Sequence, residues 1–355
     1  MKPASPSEEP LQAPGLGPAG RPDSALTRAL LPLSWVYGEI ARLRRTWHTK
    51  RSRRLDCPVV SVGNITCGGT GKTPTVEMVV RDLLAAGWKP AILSRGYKAF
   101  RSAGGLQNDE ARVLAANLPG VAHSLGKDRY AAGREAISRG ADVLVLDDGF
   151  QHARLHRDLD FVLIDAILPF GHGHTLPAGL LREPLGVLSR AHLLGITRSD
   201  QVGAVTLSTL RSYLRRRFPG IPQVLLSSRP VEWVRLGGGT ESPEGLRSKQ
   251  VLAFCGVGNP ESFRRQVLSL GLQIAELLCF RDHHQYTAGD LDAIAARAAQ
   301  VGTDEVVMTQ KDAVKIGATE HRARWKYLRI RQEVCEGAEE YLAALAQLRS
   351  CQRNH

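Results

Sequence analysis

The chain has 355 residues and 47 Lys and Arg against 35 Asp and Glu, a formal net charge of +12. Its six cysteines stand singly with no Cys-x-x-Cys pair, which excludes a zinc ribbon or a paired redox motif and gives no disulfide framework. No apolar run reaches the roughly 18 residues that span a bilayer, and the N-terminus lacks the basic-then-apolar order of a secretory signal.

At roughly 150 residues per domain the length predicts two domains. Residues 1–24 are rich in Pro, Gly and Ser with almost no large apolar side chains, so a disordered tail is expected there. From Pro32, a residue suited to a first helical turn, Leu33, Val36, Tyr37, Ile40, Leu43 and Trp47 recur at three- and four-residue steps. Within residues 26–56, Arg28, Arg42, Arg44, Arg45, Lys50, Arg51, Arg53 and Arg54 face only Glu39 and Asp56. Two readings stay open on pattern alone. One is a basic amphipathic helix lying on an anionic membrane surface. The other is a helix packed on its own domain with a solvated basic side. Nucleic-acid binding is not expected, because neither stacking aromatics among the basic residues nor a reader motif is present.

Short apolar runs at Val59–Val62, Ala91–Leu93, Val143–Leu146, Phe161–Ile164, Leu193–Ile196 and Val224–Leu226 read as buried strands, with helical patterns between them. That alternation predicts an α/β fold with a largely parallel sheet. Residues 228–248 are polar and rich in Gly, Ser and Pro and read as a linker or domain crossing. A second strand–helix set follows. The expected organisation is a phosphate-loop NTPase-like domain over 25–232 and a smaller α/β domain over 233–355.

After the strand VVSV comes TCGGTGKT, residues 66–73. It ends as a phosphate-binding loop does, with Gly71, Lys72 and Thr73, but Thr66 stands where the usual pattern has its first Gly. Gly68, Gly69 and Gly71 let backbone N–H groups approach phosphate oxygens, and the following helix N-terminus favours negative charge. Lys72 is expected on the β- and γ-phosphates of a nucleotide, and Thr73 on Mg²⁺. Cys67 occupies the position where regulatory ATPases of a related loop type carry an extra Lys, which weighs against that class.

The strand ADVLVL runs into Asp147 and Asp148, the place where phosphate-loop enzymes hold Mg²⁺ with a carboxylate. Arg182 and Glu183 lie in a loop between Pro177 and Pro184. In NDEA, Asn108 or Asp109 reads locally as a helix cap, yet a kinase also needs a carboxylate beside its acceptor hydroxyl. In RDHHQYT, His283 and His284 stand beside Asp282, a composition suited to proton relay or to a polar interdomain loop. In TQKDAVK, Lys311, Asp312 and Lys315 follow a strand; pattern alone leaves substrate binding and helix capping equally open.

In chain order SVGNITCGGTGKTP, SRGYK, NDEA, DDGFQH, LPAGLLREP, GVGNPESF, DHHQYT and TQKDAVK closely resemble the tetraacyldisaccharide 4′-kinase family, from about residue 26 to the C-terminus. The resemblance implies transfer of the ATP γ-phosphoryl group, with Mg²⁺, to the 4′-hydroxyl of a tetraacylated glucosamine disaccharide 1-phosphate, giving lipid IVA. It implies a peripheral enzyme at the cytoplasmic face of the bacterial inner membrane, anchored by its N-terminal helix, with no stable protein partner. By matching motif it assigns Thr66, Cys67, Gly68, Gly69, Thr70, Gly71, Lys72 and Thr73 to ATP, and Thr73, Asp147, Asp148 and Glu183 to the metal. It places Asp109 as the carboxylate acting on the hydroxyl and His283 as its partner, brought together by closure of the cleft over ATP. Two positions depart from the family pattern: Asn108 replaces a Gly, and Gln310 replaces a Glu. A phosphate-loop regulatory ATPase or GTPase acting on a protein partner is the alternative.

Overall fold

A computed structural model describes residues 25–96, 100–102, 105–316 and 322–352; the expected tail at 1–24 and Tyr97 and Lys98 of SRGYK lie outside these. The first part of the chain runs α1 (Ala25–Thr49), β1 (Val59–Asn64), α2 (Lys72–Ala85), β2 (Pro90–Ser94), the hairpin β3 (Phe100–Ser102) and β4 (Gly105–Gln107), α3 (Asp109–Asn117) and β5 (Ala122–Leu125). It continues through α4 (Arg129–Ser138), β6 (Val143–Asp147), β7 (Leu159–Asp165), β8 (Leu193–Thr197), α5 (Ala204–Arg217), β9 (Gln223–Arg235) and β10 (Thr240–Glu241). The last part holds β11 (Gln250–Cys255), α6 (Pro260–Ser269), β12 (Gln273–Cys279), α7 (Ala288–Gln300), β13 (Val306–Thr309), α8 (Gln310–Ala313), β14 (Lys326–Glu336), α9 (Ala338–Ala346) and α10 (Leu348–Gln352).

Twelve strands join in one sheet, β12-β11-β13-β14-β9-β8-β7-β1-β6-β2-β5, with β10 on β9. Neighbours are parallel on both sides of a seam where β9 meets β14 antiparallel. The parallel strands β1, β6, β7 and β8 are buried along their length, as expected when helices cover both faces. This is a phosphate-loop NTPase-like α/β fold. Val60, Val62, Val76, Val79, Phe161 and Tyr341 share one core cluster. Ile65, Phe150, Ile164, Ile196, Leu210 and Leu214 form another. The later strands carry their own cores, around Trp233, Phe263 and Val267 and around Phe254, Ile294 and Trp325.

The segment expected as a linker or domain crossing, residues 228–248, carries the end of β9, the short β10 and a 3₁₀ turn. Residues 228–235 are the outer part of β9, whose register with β14 shifts at Pro230, a residue with no N–H to give the ladder. The strand signal of VEWV was hidden by its Ser, Pro and Gly neighbours. Strands β5 and β14 were likewise outside the expected set.

Helix α1 inverts the usual arrangement of an amphipathic helix. Its buried residues are Ser34, Gly38 and His48. Thr175 Oγ1 donates to the Ser34 carbonyl (2.6 Å), and Ala178 N donates to Ser34 Oγ (2.9 Å). A Cβ on Gly38 would stand 3.3 Å from Pro184 Cγ, so the missing side chain lets the helix sit close. The large apolar residues face outward: Leu33 is 58% exposed, Trp35 69%, Ile40 59% and Leu43 64%. No helix among the described residues is long and apolar enough to cross a membrane.

Candidate active site

Strand β1 is central, and its neighbour β6 places Asp147 beside Val62. The chain leaves β1 at the fully buried Asn64 and enters α2 through Gly71, the left-handed N-cap (φ 80°). A side chain there would be strained, so glycine sets the loop's exit. Neighbouring segments hold the loop from outside. Cys67 N donates to the Leu180 carbonyl (2.8 Å), Thr197 Oγ1 to the Thr70 carbonyl (3.1 Å), and Arg198 to the Gly69 carbonyl. The last two contacts take up loop carbonyls, the first ties down the Cys67 N–H, and the N-terminal end of α2 is left to an anion. Lys72 Nζ reaches Asn64 Oδ1 (3.2 Å) and lies 3.8 Å from Asp148 Oδ1.

The acidic strand end resolves into two unlike carboxylates. Asp147 is buried at the end of β6, where Ser94 Oγ donates to it at 3.2 Å. Burial, reinforced by the charges of Glu110 and Asp148, pushes its carboxyl up to about 6. Asp148 turns away in a left-handed conformation (φ 54°) and takes Arg182 Nη1 on both oxygens, at 2.9 and 2.8 Å. Burial alone would raise its carboxyl; Lys72 and Arg182 outweigh that and hold it below the usual range. Arg129 Nη2 and Nη1 donate to the Asp147 and Asp148 carbonyls (2.8 and 3.2 Å), fixing the turn that separates the two.

A cleft of roughly 1060 Å³ collects these groups. It is lined by Cys67 to Thr73, Asp147, Asp148, Arg182 and Glu183 on one side, and by Gly258, Asn259, Asp282, His283 and Lys311 on the other. Leu328, Ile330 and Gln332 of β14 line it between the two sides, and Tyr37, Arg44, Arg45 and His48 bring α1 to it. Glu183 reaches the cleft, but its carboxylate is ion-paired with Arg45 of α1. Among the described residues no ready-made group of three or more His, Cys, Asp or Glu holds a metal. The Thr73 hydroxyl and the Asp147 and Asp148 carboxylates are hard oxygen donors, and the burial and neighbouring negative charge that raise Asp147 are what a divalent cation offsets. The donor set therefore fits Mg²⁺ completed by phosphate oxygens.

Asn108, not Asp109, caps α3: its Oδ1 accepts from Ala111 N at 2.8 Å. That leaves Asp109, 5% exposed, free to meet His283 Nδ1 at 3.1 Å, a contact across 174 residues of sequence. The pair is formed in this structure. His283 lines the cleft whereas Asp109 lies behind it. His284 turns the other way, to Asp290 Oδ2 at 3.1 Å in the capping box of α7.

The departure at Gln310 has a partner. Gln310 Nε2 donates to Asn117 Oδ1 (2.7 Å) and Gln310 Oε1 accepts from Asn117 Nδ2 (3.1 Å), while Asn117 Nδ2 also reaches Glu77 (2.7 Å). Lys311 pairs with Glu110 at 3.1 Å. Thr66, Thr70 and Thr73 are buried around the loop. Sequence reasoning missed Asn64, Ser94 and Arg129, three residues that position others, because each reads locally as an ordinary polar residue at an element's end.

Residues 26–348 match the family model described as tetraacyldisaccharide-1-P 4′-kinase. The tetraacyldisaccharide 4′-kinase of Pelobacter propionicus is 39% identical over 332 residues, covering 88% of this chain and 90% of its own. That of Anaeromyxobacter dehalogenans is 41% identical over 313 residues, 82% of each. The crystal structure of LpxK from Aquifex aeolicus, in complex with ATP, superposes with a TM-score of 0.71 at 29% identity, covering 91% of this chain and 99% of that one. Nothing in these relatives supports a regulatory ATPase acting on a protein partner. The chain belongs to the tetraacyldisaccharide-1-P 4′-kinase family.

Proposed function

We propose that this chain transfers the γ-phosphoryl group of ATP to the 4′-hydroxyl of tetraacyldisaccharide 1-phosphate through the cleft described above, working as a peripheral enzyme on the cytoplasmic face of the inner membrane. One observation carries the residue assignment: the phosphate loop, the acidic strand end and the Asp109–His283 pair converge on a single cleft that α1 borders.

The chemistry is positioning and electrostatics. Thr66 to Thr73 hold the ATP phosphates, and Lys72 offsets charge on the β- and γ-oxygens. Thr73 and Asp147 and Asp148 would hold Mg²⁺, with Glu183 at the same end of the cleft; the ion supplies charge neutralisation on the transferring phosphoryl group. Arg182 keeps Asp148 ionised and in place. The Asp109–His283 pair takes the proton of the 4′-hydroxyl. A carboxylate only accepts, so His283 Nδ1 carries the hydrogen and Nε2 is left to act on the hydroxyl, with Asp109 holding the tautomer.

The exposed apolar face of α1, with Arg42, Arg44, Lys50 and Arg51 beside it, suits an anionic bilayer surface on which the acyl chains stay while the headgroup enters the cleft. No nucleic acid or stable protein partner is part of this reading. The test is transfer of labelled γ-phosphate to tetraacyldisaccharide 1-phosphate in mixed micelles, with and without Mg²⁺. A Mg²⁺-dependent bis-phosphorylated lipid is expected. ATP hydrolysis that ignores the lipid acceptor would overturn the reading.

A further inference from the structure

The TQKDAVK segment does more than provide Gln310 and Lys311. Lys315 lies just past α8 with its side chain 2% exposed, an unusual place for an ammonium group. Its Nζ stands 3.4 Å from Asp109 Oδ2 and 3.3 Å from Asp312 Oδ1. Asp312 is wholly buried and held from several sides: Gly256 N donates to it (3.1 and 3.2 Å), as do Tyr286 OH (3.0 Å) and Thr309 Oγ1 (2.6 Å). The result is a line of alternating charge, Asp312, Lys315, Asp109, ending on His283 Nδ1.

Asp312 also controls the backbone beneath His283. It binds Gly256 N, and the Gly256 carbonyl accepts from His283 N at 3.3 Å. His283 sits at φ 63°, a conformation a histidine keeps only where its surroundings impose it. Other charged groups around the pair are engaged or farther off. Glu110 on α3 is paired with Lys311, and Asp282 lies 3.9 Å from His283 Nε2. The Tyr286 ring lies 5.8 Å from Lys315 Nζ. Among the described residues, Lys315 is the lysine or arginine within ion-pair distance of Asp109.

We propose that Lys315 is a positioning residue of the phosphoryl-transfer site: its buried ammonium, anchored by Asp312, holds the Asp109 carboxylate aimed at His283 Nδ1, so that the imidazole offers Nε2 to the acceptor hydroxyl. This rests on the kinase reading for the acceptor, but the link between Lys315 and the His283 tautomer exists without one. A lysine that merely packed this junction would hold the fold and leave the protonation of His283 untouched.

The test uses the full-length chain labelled with ¹⁵N-histidine. Long-range ¹H–¹⁵N correlation reports the His283 tautomer and its titration in the resting protein, and steady-state transfer to the lipid acceptor gives kcat and kcat/KM against pH. In the wild type His283 should be the Nδ1–H tautomer; the Nε2–H tautomer would overturn the proposal with no variant required. Lys315→Met removes the cation and leaves Asp109 uncompensated, so the pair should hold its proton more tightly. The His283 midpoint and the acid limb of kcat/KM should both move up by about one pH unit. kcat should fall about 10- to 100-fold with KM for ATP nearly unchanged. Lys315→Arg should restore both midpoints. A folded Lys315→Met protein whose His283 titrates as wild type would overturn the proposal. A shifted His283 in a protein that phosphorylates no lipid would support the Lys315 linkage and overturn the kinase reading alone.

Discussion

Replacing Leu33, Ile40 and Leu43 of α1 together by Ala separates membrane anchoring from folding. The three side chains are 58%, 59% and 64% exposed, so little of them is packed on the protein. Burying a Leu or Ile side chain completely is worth about 1.5–3 kcal/mol. Scaled by those exposures and by the methyl that Ala retains, each residue offers a bilayer about 1 kcal/mol, and the three together about 3 kcal/mol. That is on the order of a 10²-fold loss in partitioning onto vesicles. Three core Leu→Ala changes would each cost about 2–5 kcal/mol of stability, whereas surface changes stay within about 0.5. Flotation with vesicles containing anionic lipid, run beside a thermal melt, reads both quantities. We expect binding to collapse while the melting temperature stays close to wild type. Unchanged flotation with a large drop in melting temperature would show that this face is covered by protein and that the membrane assignment is wrong.

Lys72→Ala should weaken ATP binding and reduce transfer by orders of magnitude, with the melting temperature near wild type; isothermal titration with ATP checks it. Gln310→Glu restores the family residue but sets a second carboxylate on Asn117, which already holds the buried Glu77, and leaves Asn117 Oδ1 without its donor, so a loss of about 1–3 kcal/mol is expected in denaturant unfolding. Burial pushes the His123 imidazole down to about 4, and burial with Arg129 beside it does the same for His152. Both folded values lie below the ordinary 6.5, so their stabilising contribution is complete above about pH 6.5 and is lost as pH falls towards about 4. A melting temperature that falls over that window, and falls less in His123→Phe, is the expected outcome.

Much of this site can be read from the chain, and what cannot has a physical reason. Gly71, Lys72 and Thr73 are contiguous and their spacing carries their chemistry, so the loop is visible before any fold is known. Asp147 and Asp148 are also visible, but their division of labour is not: it depends on a left-handed turn at Asp148 and on Arg182 arriving from a distant loop. The Asp109–His283 contact spans 174 residues, and local sequence alone favoured a helix cap at NDEA. Family resemblance supplied that pairing where residue chemistry could not. Lys315 is the hardest to see, since a lysine in a polar segment reads as surface until Asp109 and Asp312 are found around it. The periodicity of α1 correctly gave a helix with an apolar face, yet periodicity cannot say whether that face points inward or out. The outer part of β9, where it pairs with β14, escaped notice because its Ser, Pro and Gly neighbours resemble linker composition.

The decisive measurement is phosphoryl transfer to the lipid acceptor by Asp109→Asn, set against its ATP dissociation constant. The amide keeps the shape of Asp109 but cannot hold His283 as a carboxylate does. We expect kcat to fall by roughly 10²- to 10⁴-fold, the contribution of a positioned base, with ATP affinity unchanged. Wild-type turnover in the folded variant would contradict the assignment and remove the Asp109–His283 pair from the reaction.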